Sequence, residues 1–328
     1  MITPAPVESE RPITAPEGVG VTVKGWGADE ADARSLAEHL MAYVKELSRH
    51  IDLAGLDGVT AGGDYAVALA ELDRGYESTM VLTPSNDEAI GIAMTPSVLR
   101  DGALKSHLVL NANLMAGLLE AGHELHGLAL HTLAHECAHV EITAAFDACF
   151  PGVLLRTKKD NLLDHCRWEV ILACWDEYAA TRIAAGIGED PTDGYEETFV
   201  LLAETVRDKA DALIAAYRDH GDHGRILCEA YGEYGRLMKY AAYHLGNLAG
   251  LETPLADRPK TVAAMDGHWF APHLEALQIR LAALFDDFGT WEAYAPFEAL
   301  GDLAEILVAE GGVTVERLPA GQVWIRVP

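Results

Sequence analysis

The stretch His131-Thr132-Leu133-Ala134-His135-Glu136-Cys137-Ala138-His139-Val140 decides how the rest of the chain is interpreted. Its apolar residues are good helix formers, and it contains no glycine or proline, so the stretch should be helical. Residues four apart lie one above the other on the same face of a helix, which lets His135 and His139 hold one metal ion. The alternative is an amphipathic helix that carries surface histidines.

Glu136 directly follows the first of these histidines. Its carboxylate can reach a water on the metal but is poorly placed to be a third protein ligand. Two histidine ligands with a glutamate as general base is the arrangement found in zinc peptidases. His131 lies one turn earlier, but the three histidines climb about 12 Å along the helix axis and cannot all bind one ion. We therefore interpret His131 as a residue of the pocket wall.

A catalytic zinc ion needs a third protein ligand and an open fourth position. The metzincin pattern would place a glycine and a further histidine shortly after His139, but the chain has Ile142 and Ala145 at those positions. This excludes the metzincin pattern. The third ligand must then come from a later helix.

The best stretch for that ligand is residues 175–185. Ala180 and Ala184 follow Glu177 at helical spacing, so the face beside this carboxylate is small enough to pack closely against another helix. Asp176 and Glu169 are competing third ligands. An acidic face exposed to solvent is the alternative for all three carboxylates.

The two segments together resemble a known family. His135-Glu136-x-x-His139, followed later by Glu177-x-x-Ala180-Thr181-Arg182-x-Ala184-Ala185, resembles the gluzincin type of zinc metallopeptidase. The second segment is similar to that of the ImmA/IrrE-like family of cytoplasmic bacterial and phage peptidases. The resemblance covers these two helices. It implies that His135, His139 and Glu177 bind zinc and that Glu136 is the general base.

The segment that precedes the motif predicts a small twisted sheet, because short apolar runs alternate with Gly, Asp, Asn and Pro. These runs are residues 65–69, 79–82, 89–94 and 107–111. A sheet that leads into the metal-binding helix is what the zincin resemblance implies. A peptide substrate would pair with an exposed edge strand. Residues 106–111 are the candidate edge, and an ordinary interior strand is the alternative.

The remaining elements complete an α+β fold. A strand is predicted at 20–24 and helices at 28–50 and 161–185, and the C-terminal region should be largely helical with a terminal β-hairpin. Its helices are predicted at 196–220, 225–248, 268–285 and 291–309, and its hairpin at 313–327. We expect a flexible arm at 1–18, a zincin-like domain at 19–190 and a helical region at 191–328.

Tyr243 and His244 are candidate catalytic residues on one of these later helices. A zinc peptidase benefits from a donor that stabilises the tetrahedral oxyanion, and a phenol or an imidazole can serve. The alternative is that both side chains pack against neighbouring helices.

The charge, the cysteines and the apolar runs of the sequence exclude several classes of protein. The formal net charge of −27 disfavours binding to nucleic acid. Five cysteines without CxxC spacing argue against a disulfide framework, and no apolar run is long enough to span a membrane. The N-terminal sequence has no signal-peptide pattern, so a cytoplasmic location is expected.

These observations predict a zinc-dependent peptidase that acts on a peptide or protein substrate. Metal-activated water would attack the peptide bond, with Glu136 as the base. Two alternatives stay open. One is a hydrolase with the same ligands that cleaves something other than a peptide bond, and the other is an interaction or regulatory protein with a structural or inactive metal site.

Overall fold

A computed structural model describes residues 11–78, 81–84, 91–155, 157, 159 and 161–328 of the chain. The chain divides into two compact units, the first formed by 1–144 with 187–189 and the second by 145–186 with 190–328. The domains predicted at 19–190 and 191–328 are segments expected to fold independently. The division into compact units does not test independent folding, so these domains stay predictions. Residues 1–10 of the predicted arm lie outside the described residues.

The described part of that arm contacts the segment after the first helix. Thr14 donates to the carbonyl oxygen of Ser48 from both its backbone nitrogen, at 3.3 Å, and its hydroxyl, at 2.8 Å. Arg49 Nη1 donates to the carbonyl oxygen of Arg11 at 2.7 Å. These bonds attach residues 11–14 to the first unit.

The first helix, Glu30–Leu47 (α1), lies where the apolar spacing predicts it. Asp29 caps its N-terminus, because its carboxylate accepts from the backbone nitrogens of the first turn. The buried residues recur every three or four positions and form one apolar face: Leu36, Leu40, Val44 and Leu47.

The described residues of the first unit form a five-stranded mixed sheet. Its strands are Gly20–Lys24 (β1), Leu56–Gly62 (β2), Ala93–Met94 (β3), Ser97–Arg100 (β4) and Ala103–Asn111 (β5). β1, β2 and β5 are parallel neighbours in that order, and both β3 and β4 pair with β5 in the antiparallel direction. The predicted small sheet before the motif is therefore present.

The candidate edge strand at 106–111 is an interior strand. It belongs to β5, which pairs with β2 on one side and with β3 and β4 on the other. The interior alternative is the correct one. Among the described residues, β3 and β4 pair with no strand other than β5, so both lie at one edge of the sheet, and β1 forms the opposite edge.

The predicted strand at 65–69 is wrong, because these residues form the short helix Tyr65–Ala70 (α2). Asp64 caps this helix, and its side chain accepts from the backbone nitrogen of Val67 at 3.1 Å. Tyr65, Ala68 and Leu69 are buried at helical spacing and pack with Val109 of β5. The apolar run alone did not distinguish a helix from a strand, and the cap favours the helix.

β2 was missed by the sequence analysis because its sequence contains glycines, which weaken a strand signal. A Cβ atom on Gly58 would lie 2.9 Å from His107 Cε1, so this glycine makes room for the imidazole. His107 Nδ1 lies 2.9 Å from Asp57 Oδ2, and its Nε2 lies 2.9 Å from Thr60 Oγ1. The polar bonds join β2 to β5.

The other two predicted strands fall partly outside the described residues, which exclude 79–80 and 85–90. Residues 81–82 lie in no strand, and residues 93–94 form β3. β5 leads into the short helix Ala112–Met115 (α3) and a 3-10 turn at Ala116–Leu119, after which the long helix His126–Cys149 (α4) begins.

The second unit is largely helical and ends in a β-hairpin, as predicted. Its helices are Leu162–Ala184 (α5), Thr192–His220 (α6), His223–Gly250 (α7), Pro259–Met265 (α8), Ala271–Asp286 (α9) and Ala295–Glu310 (α10). The hairpin pairs Thr314–Arg317 (β6) with Val323–Arg326 (β7). Of these helices, only α8 was not predicted.

α5 and α7 run in the same direction and pack closely along their length. Their backbones approach where α7 has glycine: a Cβ atom on Gly246 would overlap the carbonyl oxygen of Tyr178, and one on Gly250 would overlap that of Arg182. Because glycine has no side chain, α7 can approach α5 closely at these two positions. Close packing of α5 against another helix was expected from its small residues.

The chain thus has a mixed α+β fold. Within the part of the chain that the structure describes, no helix is both long enough and apolar enough to cross a membrane.

Candidate metal centre

The motif residues lie on α4, which is the predicted helix. Its middle is buried on several sides, since Leu133, Ala134, Cys137 and Ala138 are all fully inaccessible to solvent. Burial raises the pKa of the Cys137 thiol, and the charge of Glu136 raises it further. Cys137 is therefore a protonated packing residue.

His135 and His139 point their imidazoles at one another. Their Nε2 atoms lie 3.1 Å apart, and their ring planes are almost perpendicular, at 88°. Two nitrogen ligands of a tetrahedral zinc ion, each bound at about 2.0–2.1 Å, would lie about 3.3 Å apart. The two nitrogen atoms are therefore spaced as a shared metal ion requires.

Glu136 completes a group that could hold a metal ion. One ligand atom from each of His135, Glu136 and His139 lies within 4.8 Å of the others. All three residues are buried, with exposed fractions of 7–9%. The alternative of an amphipathic helix with surface histidines does not fit this burial.

The carboxylate of Glu136 is held by a residue that sequence analysis missed. Thr95 Oγ1 donates to Glu136 Oε2 at 2.6 Å and lies 3.0 Å from the backbone oxygen of the same residue. Thr95 lies in the connection between β3 and β4. No local signal identifies it, because 41 residues separate the two partners.

Tyr65 is a second neighbour of Glu136. The side chain of Tyr65 is buried at the start of α2. Burial raises its pKa above the ordinary range, and the negative charge of Glu136 adds to this shift. The phenol is therefore neutral at physiological pH.

His131 lies outside the metal-binding group. Its ring centroid is 6.4 Å from that of His135, compared with 4.7 Å between His135 and His139. His131 Nδ1 lies 3.2 Å from the carbonyl oxygen of Ile187. The next residue, Gly188, has a φ of 75°, and a Cβ atom there would collide with the backbone of His131. These contacts give His131 a structural role beside the group.

Glu177 lies on α5 in the second unit, where its carboxylate accepts a hydrogen bond from the Tyr243 hydroxyl. The ring of Tyr243 is flanked by two further tyrosines, Tyr195 at 5.2 Å and Tyr240 at 5.4 Å between centroids. Burial raises the pKa of Tyr243 well above its ordinary value, and the charge of Glu177 raises it further. The structure thus brings together two of the predicted site residues from separate helices.

The competing third ligands are placed differently from Glu177. Glu169 is exposed, and its carboxylate lies 3.2 Å from His165 Nε2, one turn earlier on α5. Asp176 is half-buried beside Glu177. The assignment of Glu177 as the metal ligand stays a prediction.

His244 faces a different side of α7 from Tyr243. It is fully buried, its ring stacks on Phe199 at 5.9 Å, and its Nε2 lies 3.0 Å from Thr261 Oγ1. Burial lowers the pKa of His244 to about 4. The structure places His244 with α6 and α8, and it does not bring this residue to Glu177 as it does Tyr243.

Comparison with protein-family models, with curated proteins and with solved structures finds no match to this chain. The interpretation of the site therefore rests on the geometry and chemistry of its residues.

Proposed function

We propose that this chain is a zinc-dependent peptidase. The observation that carries the proposal is the pair of Nε2 atoms of His135 and His139, 3.1 Å apart, beside a glutamate carboxylate. Imidazole nitrogen suits zinc, and two histidines on one helical turn with an adjacent glutamate is the zinc-peptidase arrangement. Glu177 is the third ligand that the sequence predicts, and its bond from Tyr243 supports this role, because metal-binding carboxylates are themselves hydrogen-bonded.

A zinc ion held by these residues would lower the pKa of a water molecule and polarise the carbonyl group of the substrate. Glu136 would act as the general base for that water and would pass the proton to the leaving amine. Thr95 donates to Oε2 of Glu136, so Oε1 is the atom we assign to the proton transfer. The hydroxyl of Thr95 also fixes the rotation of the carboxylate.

The substrate is a peptide that pairs with the outer side of β3, where none of the described strands pairs. This edge suits an extended chain, since its backbone groups can bond to the peptide as a further strand. Thr95 directly follows β3 and contacts Glu136. A peptide on this edge would therefore pass the general base.

Glu136→Gln tests the proposed activity. The variant should keep its zinc and lose hydrolysis of a fluorogenic peptide library by about 100-fold or more, since general-base catalysis contributes about 10²–10⁴-fold. The matched control is Glu141→Gln on the same helix, whose carboxylate accepts from the backbone nitrogen of Asp52, a role that an amide oxygen can fill. Full activity in Glu136→Gln would contradict the base assignment, whereas zinc binding without hydrolysis in the wild type would favour a structural or regulatory metal site.

Zinc content of three single variants tests the third ligand. We expect Glu177→Ala to lose zinc and both Asp176→Ala and Glu169→Ala to retain it. Loss in one of the latter two variants, with retention in Glu177→Ala, would transfer the ligand role to that residue.

A further inference from the structure

Cys166 on α5 and Cys228 on α7 have their sulfur atoms 3.3 Å apart, although 62 residues separate them in the chain. Both are free thiols. A disulfide bond has an S–S distance of about 2.05 Å, so the two sulfur atoms need to approach by only about 1.3 Å to form one. The pair is reduced in the structure but is placed for bond formation.

The close packing of α5 and α7 sets the distance between the two cysteines. One turn before them, a Cβ atom on Gly224 would lie 3.3 Å from Leu162 Cδ2, and one turn after Cys166, Val170 fills the space left by Gly235. The helices are therefore in contact on both sides of the sulfur pair. The distance between the two helices therefore does not depend on the rotamer of either cysteine.

The two thiols differ in access to solvent. Cys228 is exposed, whereas Cys166 is 2% exposed. Burial raises the pKa of Cys166, and the neighbouring Cys228 and Glu169 raise it further. An oxidant in solution therefore reaches Cys228 first, and Cys166 is held as a protonated thiol behind it.

We propose that Cys166 and Cys228 form a redox-active pair that hydrogen peroxide converts into an intramolecular disulfide. The thiolate of Cys228 attacks the peroxide, the O–O bond breaks, and the products are a sulfenic acid on Cys228 and, after protonation, one water. The sulfur of Cys166 then attacks the sulfenic sulfur. The S–S bond forms, the S–O bond breaks, and the leaving hydroxide takes up the Cys166 proton as a second water. Two thiols are oxidised while one peroxide is reduced to two waters.

This modification does not depend on the metal centre. The bond joins α5 to α7, the two helices that carry Glu177 and Tyr243. The disulfide would therefore cross-link the two helices that the hydrogen bond between Glu177 and Tyr243 also joins. Closing a long loop with a disulfide also restricts the unfolded chain, so the oxidised protein should melt at a higher temperature.

The test treats the full chain with an equimolar amount of hydrogen peroxide, blocks the remaining thiols by alkylation, and maps the unreduced digest by mass spectrometry. We expect a peptide pair linked through Cys166 and Cys228, loss of two of the five thiols, and recovery of both on reduction. Cys166→Ala and Cys228→Ser should each abolish the linked pair. Cys149→Ser is the matched control and should retain it.

Cys166→Ala also exposes the first step, because the sulfenic acid on Cys228 has no resolving thiol and should accumulate as a dimedone adduct. A disulfide that uses another cysteine, or one that joins two chains, would overturn the proposal. So would conversion of Cys228 to the sulfinic acid while Cys166 remains a free thiol.

Discussion

Thr95 donates a 2.6 Å hydrogen bond to Glu136, and so connects the loop after the edge strand to the proposed general base. The bond restricts the rotation of the carboxylate. We expect Thr95→Val, which keeps the shape but removes the hydroxyl, to lower kcat about 10- to 100-fold while zinc content stays unchanged. Steady-state kinetics on a cleaved peptide measure this effect. Thr95→Ser keeps the hydroxyl and should remain near the wild-type rate, and an equal loss in both variants would show that the hydroxyl is not the cause.

The Tyr243 hydroxyl should act through Glu177. Tyr243→Phe removes the hydrogen bond to the carboxylate, so we expect zinc affinity, measured by competition with a chelator, to fall about 10- to 100-fold. In a Glu177→Ala background, which has no acceptor for the hydroxyl, the same substitution should have little further effect on the residual zinc affinity. Equal losses in both backgrounds would assign Tyr243 a role independent of Glu177.

His244 should make the fold less stable in acid. Burial holds its pKa at about 4, below the ordinary value of 6.5, so the unfolded chain takes up a proton that the folded chain does not. The free energy of unfolding is therefore unaffected by this proton above pH 6.5. As the pH falls from 6.5 towards 4, it decreases by up to about 3 kcal/mol. Urea unfolding in the presence of a chelator, at several pH values, measures the slope. His244→Gln should flatten that slope, whereas exchange of the exposed His50 for Gln should leave it unchanged.

The close approach of α5 and α7 predicts opposite effects at two glycines of α7. A Cβ atom on Gly246 would overlap the backbone of Tyr178, so Gly246→Ala should lower the free energy of unfolding by about 1–3 kcal/mol. Gly232 has open space around its Cα, and Gly232→Ala should raise it by up to about 1 kcal/mol through helix propensity. Urea unfolding measures both, and a neutral Gly246→Ala variant would contradict the packing described for the two helices.

The motif helix was predictable because its signal is local: apolar helix formers surround a histidine pair at the spacing of one helical turn. The helices of the second unit other than α8 were predictable because their apolar residues also recur at helical spacing. α2 was mistaken for a strand because an apolar run of five residues has no decisive period, and its cap at Asp64 is a single side chain.

The contacts of the candidate site residues were not predictable from the sequence. Thr95 reaches Glu136 only because β3 and β4 fold back on β5, and that pairing depends on the whole sheet. Tyr243 was selected as an oxyanion donor, yet its hydroxyl donates to Glu177. The adjacent His244 has the same local pattern but faces Thr261, because neighbouring residues on a helix point about 100° apart. The two candidates therefore differ in the direction of their side chains, which the sequence pattern does not show.

The most direct test of the metal centre is the zinc content of the purified chain and of two histidine variants on α4. We predict about one zinc ion per chain in the wild type, its loss in His139→Ala, and its retention in His131→Ala, since His131 lies outside the group that could hold the ion. A wild-type chain that binds no zinc even when the metal is added, or a His139→Ala variant with undiminished zinc, would contradict the account.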